Sequence, residues 1–418
     1  MLSLKNKIYS ILRWSEKYTK TDMLYLVKGS FWLVFSQVLT SAAAFLLAVA
    51  YANLLPKETF GIYKYIISIS GILGILTLVG MNSAVAQAVA RGFEGALRRS
   101  FLVQLKWGLL LFFAALAGSL YYFTKGNQVL AISFLIIGSF SPLLNSANTY
   151  SAFLNGKKDF KLISFYNILL VLGSNTIIFV TILLTKNPLF IVLAYFAGNT
   201  AITLFLYIRT LRVFKPNRKE DPATMSYGKH LSLNDAISGL ALYLDGPLVF
   251  HFLGAANLAI YSFVKSPPEQ IKGLFKNAGS LTLPKFSERT RDEIKQGMSR
   301  KIIVSTLGTV AAVAFYIILA PVVFKIFFPK YLDAVFYSQI YALSLIAISS
   351  IIPYTSLEAK LAKKELYIYN ISTSAIQIGL LVPLIIYFGL LGAVLSKVIS
   401  RFVNLAVSLI LVRRLKGS

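Results

Sequence analysis

The chain contains no cysteine, which excludes disulfides, thiolate nucleophiles and cysteine-ligated metals. Its two histidines, His230 and His251, cannot by themselves build a metal cluster. No glycine-rich loop leads into Lys and Ser/Thr, so an ATP-driven pump is unsupported. No Ser/His/Asp arrangement argues for hydrolytic catalysis either, and the chain is not expected to be an enzyme. Acidic residues are scarce, 16 against 42 Lys and Arg. Charged residues of both signs reach only 14%, compared with about 25% in an ordinary soluble chain.

Apolar residues take the remaining room, at 56% of 418 positions with a mean hydropathy of +0.69. No soluble core absorbs that much apolar side chain. A membrane span needs about 20 residues to cross about 30 Å of hydrocarbon. Spans are expected at 28–53, 61–88, 101–123, 128–154, 162–184 and 190–211, then at 231–253, 258–284, 302–328, 333–358, 367–388 and 392–412. The fold class is therefore all-α integral membrane, with about twelve transmembrane helices. The expected organisation is an interfacial segment over 1–27, an N-lobe over 28–212, a cytoplasmic linker over 213–229, a C-lobe over 230–413 and a cytoplasmic tail over 414–418. No cleavable signal peptide is expected in the basic first 20 residues.

A net charge of +26 in a soluble protein would suggest a nucleic-acid partner. Here thirty of the 42 Lys and Arg fall in alternate loops together with both termini, and only Lys57, Lys125, Lys186 and Lys330 fall in the opposite loops. The positive-inside rule puts both termini in the cytoplasm and accounts for the charge without nucleic acid. Leu4, Ile8, Ile11, Leu12 and Trp14, set among five bases, suit a helix lying on membrane lipids.

A repeat shows at an offset of 198 residues, where Leu55, Ile62, Tyr63, Tyr65 and Ser68 match Leu253, Ile260, Tyr261, Phe263 and Ser266. Six spans per copy give both copies the same orientation, so the repeat is parallel, as in transporters whose lobes rock about a central site.

The stretch Leu55-Pro56-Lys57-Glu58-Thr59-Phe60-Gly61-Ile62-Tyr63, followed by Gly80-Met81-Asn82-Ser83-Ala84 and Arg91-Gly92, resembles the outer-turn and second-span signature of Wzx-type polysaccharide flippases. Those proteins belong to the multidrug/oligosaccharidyl-lipid/polysaccharide exporter superfamily. Leu253-Gly254 and Ile260-Tyr261 echo the signature, with Ala259 where glycine is usual. The resemblance implies two six-helix lobes around a central cavity in the bacterial cytoplasmic membrane. It also implies an undecaprenyl-pyrophosphate-linked oligosaccharide as cargo, flipped from the inner to the outer leaflet by alternating access. Implied partners are a polysaccharide polymerase and chain-length proteins. Alternatives within the superfamily are a multidrug or other lipid exporter and a lipid II flippase.

Ionisable residues at membrane depth are functional candidates by default. On the eighth span Lys265, Glu269, Lys272 and Lys276 follow at i, i+4, i+7 and i+11, one stripe running ~16 Å through the bilayer. Such a face must look at protein or water. Pro267 and Pro268 interrupt that helix as a candidate hinge, and Gly246-Pro247 after Asp245 gives the seventh span another. Two readings follow. In one, Lys265, Lys272, Lys276 and Arg401 bind pyrophosphate, and Asp235, Asp245 or Glu269 couples to a proton or sodium gradient. No other cofactor is expected. In the other, the charges are structural ion pairs, with Asp245 at the depth of Lys265 and Asp235 at the depth of Lys276, three cations balancing three anions. Lys397 and Lys276 are expected to snorkel toward headgroups, whereas Arg401, deeper on the twelfth span, needs a partner. Trp32 and Gln37 are candidates for a cavity wall.

Overall fold

The computed structural model describes residues 23–280, 291–359 and 363–414; side chains are described from Phe31 onward, except at 234, 274–301 and 358–363. The helices are α1 (Met23–Leu54), α2 (Lys57–Gly74), α3 (Met81–Ala90), α4 (Ala96–Thr124), α5 (Gln128–Ala147), α6 (Thr149–Gly156), α7 (Phe160–Leu184) and α8 (Pro188–Phe214). They continue as α9 (Pro222–Tyr243), α10 (Asp245–Ser280), α11 (Arg291–Phe327), α12 (Ala334–Leu343), α13 (Ile351–Ala359) and α14 (Lys363–Arg413). Among the described residues there is no strand.

Ten helical stretches are long and apolar enough to cross a membrane, and two of them, Pro222–Gly273 and Lys364–Arg413, run 52 and 50 residues. At 1.5 Å per residue these would reach about 75 Å, far beyond about 30 Å of hydrocarbon. Each is broken by a glycine in a conformation closed to other residues, Gly254 (φ 84°) and Gly389 (φ 56°). Each is therefore long enough to cross twice, which gives twelve crossings among the described residues. Spans 7 and 8 meet at Gly254, spans 11 and 12 at Gly389. The chain is a multi-pass membrane protein.

Polar residues start the spans. Asn127, Asp159, Asn187 and Asp221 cap α5, α7, α8 and α9 by accepting backbone N–H groups of Leu130, Leu162, Leu189 and Ala223. Pro188 and Pro222 then occupy first-turn positions, where the lost N–H costs nothing. With α9 starting at Pro222, the inter-lobe connection between helices shrinks to 215–221, and the last eight residues of the expected linker are helical. Span 2 contains a break that sequence reading passes over. After α2 a short 3-10 turn, Ile75–Thr77, ends at Leu78 with φ 59°, and α3 restarts at Met81. The Leu78 carbonyl is satisfied by Nε2 of the buried Gln104 at 3.1 Å.

The lobes meet where span 2 runs antiparallel to span 7. From the Gly254 turn toward the linker, Gly61 lies on the Ala255 backbone and Tyr65 stacks on Phe250 at 4.1 Å between centroids. Ser68 lies on Gly246, Gly71 under the Tyr243 ring, Ile75 on Gly239, and Gly80 on Ser232. Without a hydrophobic drive between helices in lipid, small residues permit this approach. A second set of contacts joins the lobes at the Gly254 end. Lys57 pairs with Asp333 at 2.8 Å, Asn53 donates to the Phe327 carbonyl at 2.9 Å, and Lys330 donates to the Asn53 carbonyl at 2.7 Å. Farther inward, span 1 is held by span 5, with Ser36 donating to the Ser164 carbonyl and Asn167 to Ser36.

Candidate functional site

The charges of the C-lobe gather where span 8 faces span 12. Lys265 and Glu269 are one turn apart on span 8, and Lys397 and Arg401 one turn apart on span 12, so each helix presents a two-residue ladder to the other. Asp245, on span 7, is the buried anchor of the rung nearer the Gly254 turn. Its carboxylate accepts from Lys265 at 2.7 Å and from the Tyr261 hydroxyl at 3.1 Å, and lies 3.5 Å from Lys397. Its other oxygen accepts the Gly246 N–H. On the other rung, Glu269 accepts from Arg401, from the Tyr341 hydroxyl at 2.6 Å and from Lys272 at 3.0 Å. Arg401 also donates to Ser344 at 2.7 Å and lies over the Tyr341 ring.

The network has a covered side and an open side. Asp245, Lys397 and Arg401 expose only 3%, 10% and 16% of their side chains, whereas Lys265, Glu269 and Lys272 expose 28%, 33% and 34%. Span 8 thus fronts the open face, and span 12 backs it. Lys397 does not reach for the outer headgroups as expected. It is buried against Asp245, because a buried carboxylate at its depth offers more than a distant interface.

The proline pair does not split the stripe. Gly254 is the residue of α10 with non-helical backbone angles, and helix continues through Pro267 and Pro268. The carbonyl freed by Pro268 belongs to Val264, and Ser338 of span 10 donates to it at 2.9 Å while bonding the Tyr316 hydroxyl at 2.6 Å. Protein, not cavity water, satisfies that group.

Other candidates lie elsewhere. Asp235 is exposed on span 7, with no partner base among the described residues. The Lys276 side chain lies outside the described residues, so its pairing with Asp235 does too. Trp32 sits beneath Lys161 at 5.5 Å, and Gln37 is exposed and donates to Ser41 at 3.0 Å. Trp32 thus lies beside the start of span 5, and Gln37 lies on a different, exposed face of span 1. His230 pairs with the Tyr367 hydroxyl at 2.7 Å.

One cation escaped sequence reading. Lys64, on span 2, lies over the Phe60 ring at 5.3 Å and interacts repulsively with Lys265 across the lobe seam. Its signal was present: a lysine three residues inside an expected span, counted in no loop. Tyr341 and Ser344 carry no such signal in an apolar stretch. Among the described residues, Lys265, Lys272, Lys397 and Arg401 pair with two carboxylates, Asp245 and Glu269, and Lys64 lies within electrostatic range of Lys265. The balanced three-and-three expectation includes Lys276, whose side chain lies outside the described residues.

A second cluster lies in the loops at the end of the bundle opposite Gly254. The linker is pinned to the loop between spans 2 and 3. Arg91 pairs with Asp221 at 2.7 Å, Arg99 with Glu220, and the Gly95 N–H donates to the Lys219 carbonyl. Glu94 takes Lys157 and the Asn217 N–H. Burial pushes the Glu94 carboxyl up, but the bonds from Lys157 and Asn217 outweigh it and leave it below its ordinary value.

A family model described as polysaccharide biosynthesis protein matches residues 26–290. An uncharacterized membrane protein of Methanocaldococcus jannaschii is 23% identical over an alignment covering 90% of this chain and 82% of that one. Among solved structures, an inward-facing multidrug resistance MATE family transporter of the MOP superfamily superposes with a TM-score of 0.69 at 14% identity, covering 90% and 94% of the two chains. The lipid II flippase MurJ in an inward closed conformation gives 0.67 at 15% identity, covering 93% and 87%. These similarities establish the fold.

Proposed function

From the premise that the chain belongs to the polysaccharide biosynthesis protein family, we propose that it flips an oligosaccharide carried on a polyprenyl pyrophosphate, such as undecaprenyl pyrophosphate, by alternating access. The cargo moves from the inner to the outer leaflet of the cytoplasmic membrane, with both chain termini inside, in keeping with the loop-charge asymmetry.

One observation carries the reading: beside the lobe seam Lys265, Lys272, Lys397 and Arg401 gather on Asp245 and Glu269, more bases than acids among the described residues. Such a surplus is costly in a bilayer unless an anion compensates it. A pyrophosphate fits, since lysine binds phosphate as a point charge and arginine through its fork. Lys265 and Lys272, on the open side, make the contact, while Asp245 and Glu269 hold the bases in place. A cationic drug would meet repulsion here. Of the three acids at membrane depth, Asp235 is the one with no described base beside it, and we assign it the coupling to a proton or sodium gradient.

The test is reconstitution with labelled lipid-linked oligosaccharide on one leaflet, read by its appearance on the other. Lys265→Ala and Lys272→Ala should each slow transfer, and the double variant should abolish it at unchanged protein level. Normal transfer by the double variant rejects the pyrophosphate assignment.

A further inference from the structure

Away from the charged network, a groove of about 500 Å³ opens on the flank of the molecule, lined by Val103, Lys106, Trp107, Leu110 and Lys229. It combines both lobes: α4 supplies the first four residues and α9 supplies Lys229. The two lysines lie within about one turn of each other in depth: Lys106 is ten residues into α4 and Lys229 seven residues into α9, ~15 Å and ~10 Å past their helix starts. Lys106, Trp107 and Lys229 are exposed, and the Lys229 ammonium lies over the Trp107 ring at 6.0 Å. Among the described residues no carboxylate lines the groove, and no salt bridge includes either lysine.

These features have one common physical reading. On a lipid-facing flank, a lysine keeps its stem in the acyl region and lifts its ammonium to the headgroups. Tryptophan favours that same level. Two ammonium groups converging on one groove, without an acid between them, make a site for a phosphodiester. The apolar floor of Val103 and Leu110 accepts the start of an acyl chain.

We propose that this groove binds the headgroup of an acidic phospholipid from the inner leaflet, bridging Lys106 of the N-lobe and Lys229 of the C-lobe. The site is separate from the cargo network and does not depend on the cargo's identity. Bound lipid ties α4 to α9 where the lobes meet on the inner side, so the composition of the inner leaflet bears on how the lobes rock.

Trp107 reports on the site directly. With Trp14→Phe and Trp32→Phe it becomes the sole tryptophan. The full chain is reconstituted in phosphatidylcholine vesicles containing a minor fraction of brominated phosphatidylglycerol or brominated phosphatidylcholine. Trp107 should be quenched preferentially by the phosphatidylglycerol. Each basic residue near an anionic membrane surface contributes about fivefold to affinity, so Lys106→Gln with Lys229→Gln should cut the preference about thirtyfold. Lys106→Arg with Lys229→Arg should retain it. Native mass spectrometry of the chain with its natural tryptophans should show a phosphatidylglycerol adduct that the glutamine pair loses. Equal quenching by the two lipids, or a preference that survives the glutamine pair, overturns the proposal. Displacement by millimolar inorganic phosphate overturns the lipid assignment in favour of a soluble phosphate.

Discussion

Asp245→Asn is the most searching substitution in this protein, because it keeps shape and volume and removes one charge. In the wild-type chain that charge lies 2.7 Å from Lys265 and 3.5 Å from Lys397. Removing one partner of a buried ion pair costs about 3–5 kcal/mol, mostly through the charge left behind. The two lysines do not share this cost equally. Lys265, at 28% exposure, can turn toward the open face, whereas Lys397, at 10%, has nowhere to go. The expected loss is therefore about 3 kcal/mol, on the order of a hundredfold in the folding equilibrium and a large part of a typical 5–15 kcal/mol. Thermal or denaturant unfolding of the purified chain in detergent measures it. If the orphaned Lys397 is the cause, Lys397→Met in the same chain should recover at least half the loss. An Asp245→Asn variant within about 0.5 kcal/mol of wild type, or strict additivity of the two substitutions, refutes the argument that Asp245 is the anchor of a buried pair.

Three further outcomes are expected. Ser338→Ala should cost about 1–3 kcal/mol by leaving the Val264 carbonyl without its donor, and adding Pro268→Ala should restore much of it by returning a backbone N–H; unfolding of both variants decides whether that carbonyl is the cause. Lys57→Glu should weaken the outer closure, an exposed contact of about 0.2–1 kcal/mol; in this cysteine-free chain, a single Ser266→Cys should then label faster with an impermeant maleimide from outside, and Asp333→Lys should reverse the gain. Glu94 has a depressed folded pKa, so its contribution is present above the unfolded value of about 4.3 and is lost as pH falls through the folded value. Glu94→Gln should flatten that acid limb, measured as stability against pH, and an unchanged limb would show that Lys157 and Asn217 do not hold the carboxylate.

Most of the architecture was readable because membrane helices obey rules that act residue by residue. Hydropathy and loop charge set twelve crossings, and Gly254 and Gly389 fall at turns already implied by span length. The break in span 2 was hidden, since Leu78 carries no turn signal and its left-handed backbone is held by Gln104 from a different span. The site was legible in part for the same reason. Helical spacing put Lys265 and Glu269 on one face, and matched depth put Asp245 opposite Lys265. Nothing along the chain says that Arg401 reaches Glu269, 132 residues away, because that depends on how spans 8 and 12 pack. Lys397 was misplaced by a local argument: distance to the interface ignores a carboxylate on another helix.

The same packing explains why a site proposed for an anion contains acids at all. Lys265 and Lys397 converge on one oxygen of Asp245, and two like charges 4 Å apart repel by about 4 kcal/mol at the effective dielectric of a partly wet site. Without Asp245 between Lys265 and Lys397, and without Glu269 between Lys272 and Arg401, the long side chains would splay apart, and a ligand would have to gather them at the cost of their rotamer freedom. Two carboxylates are enough to hold four bases and too few to neutralise them. The open-side lysines can then exchange a carboxylate for a phosphate oxygen without being left bare, while Arg401 and Lys397 keep the acids occupied from behind. A site of this kind must be richer in bases than in acids and must place its best-buried bases away from the ligand, and spans 8 and 12 meet both conditions.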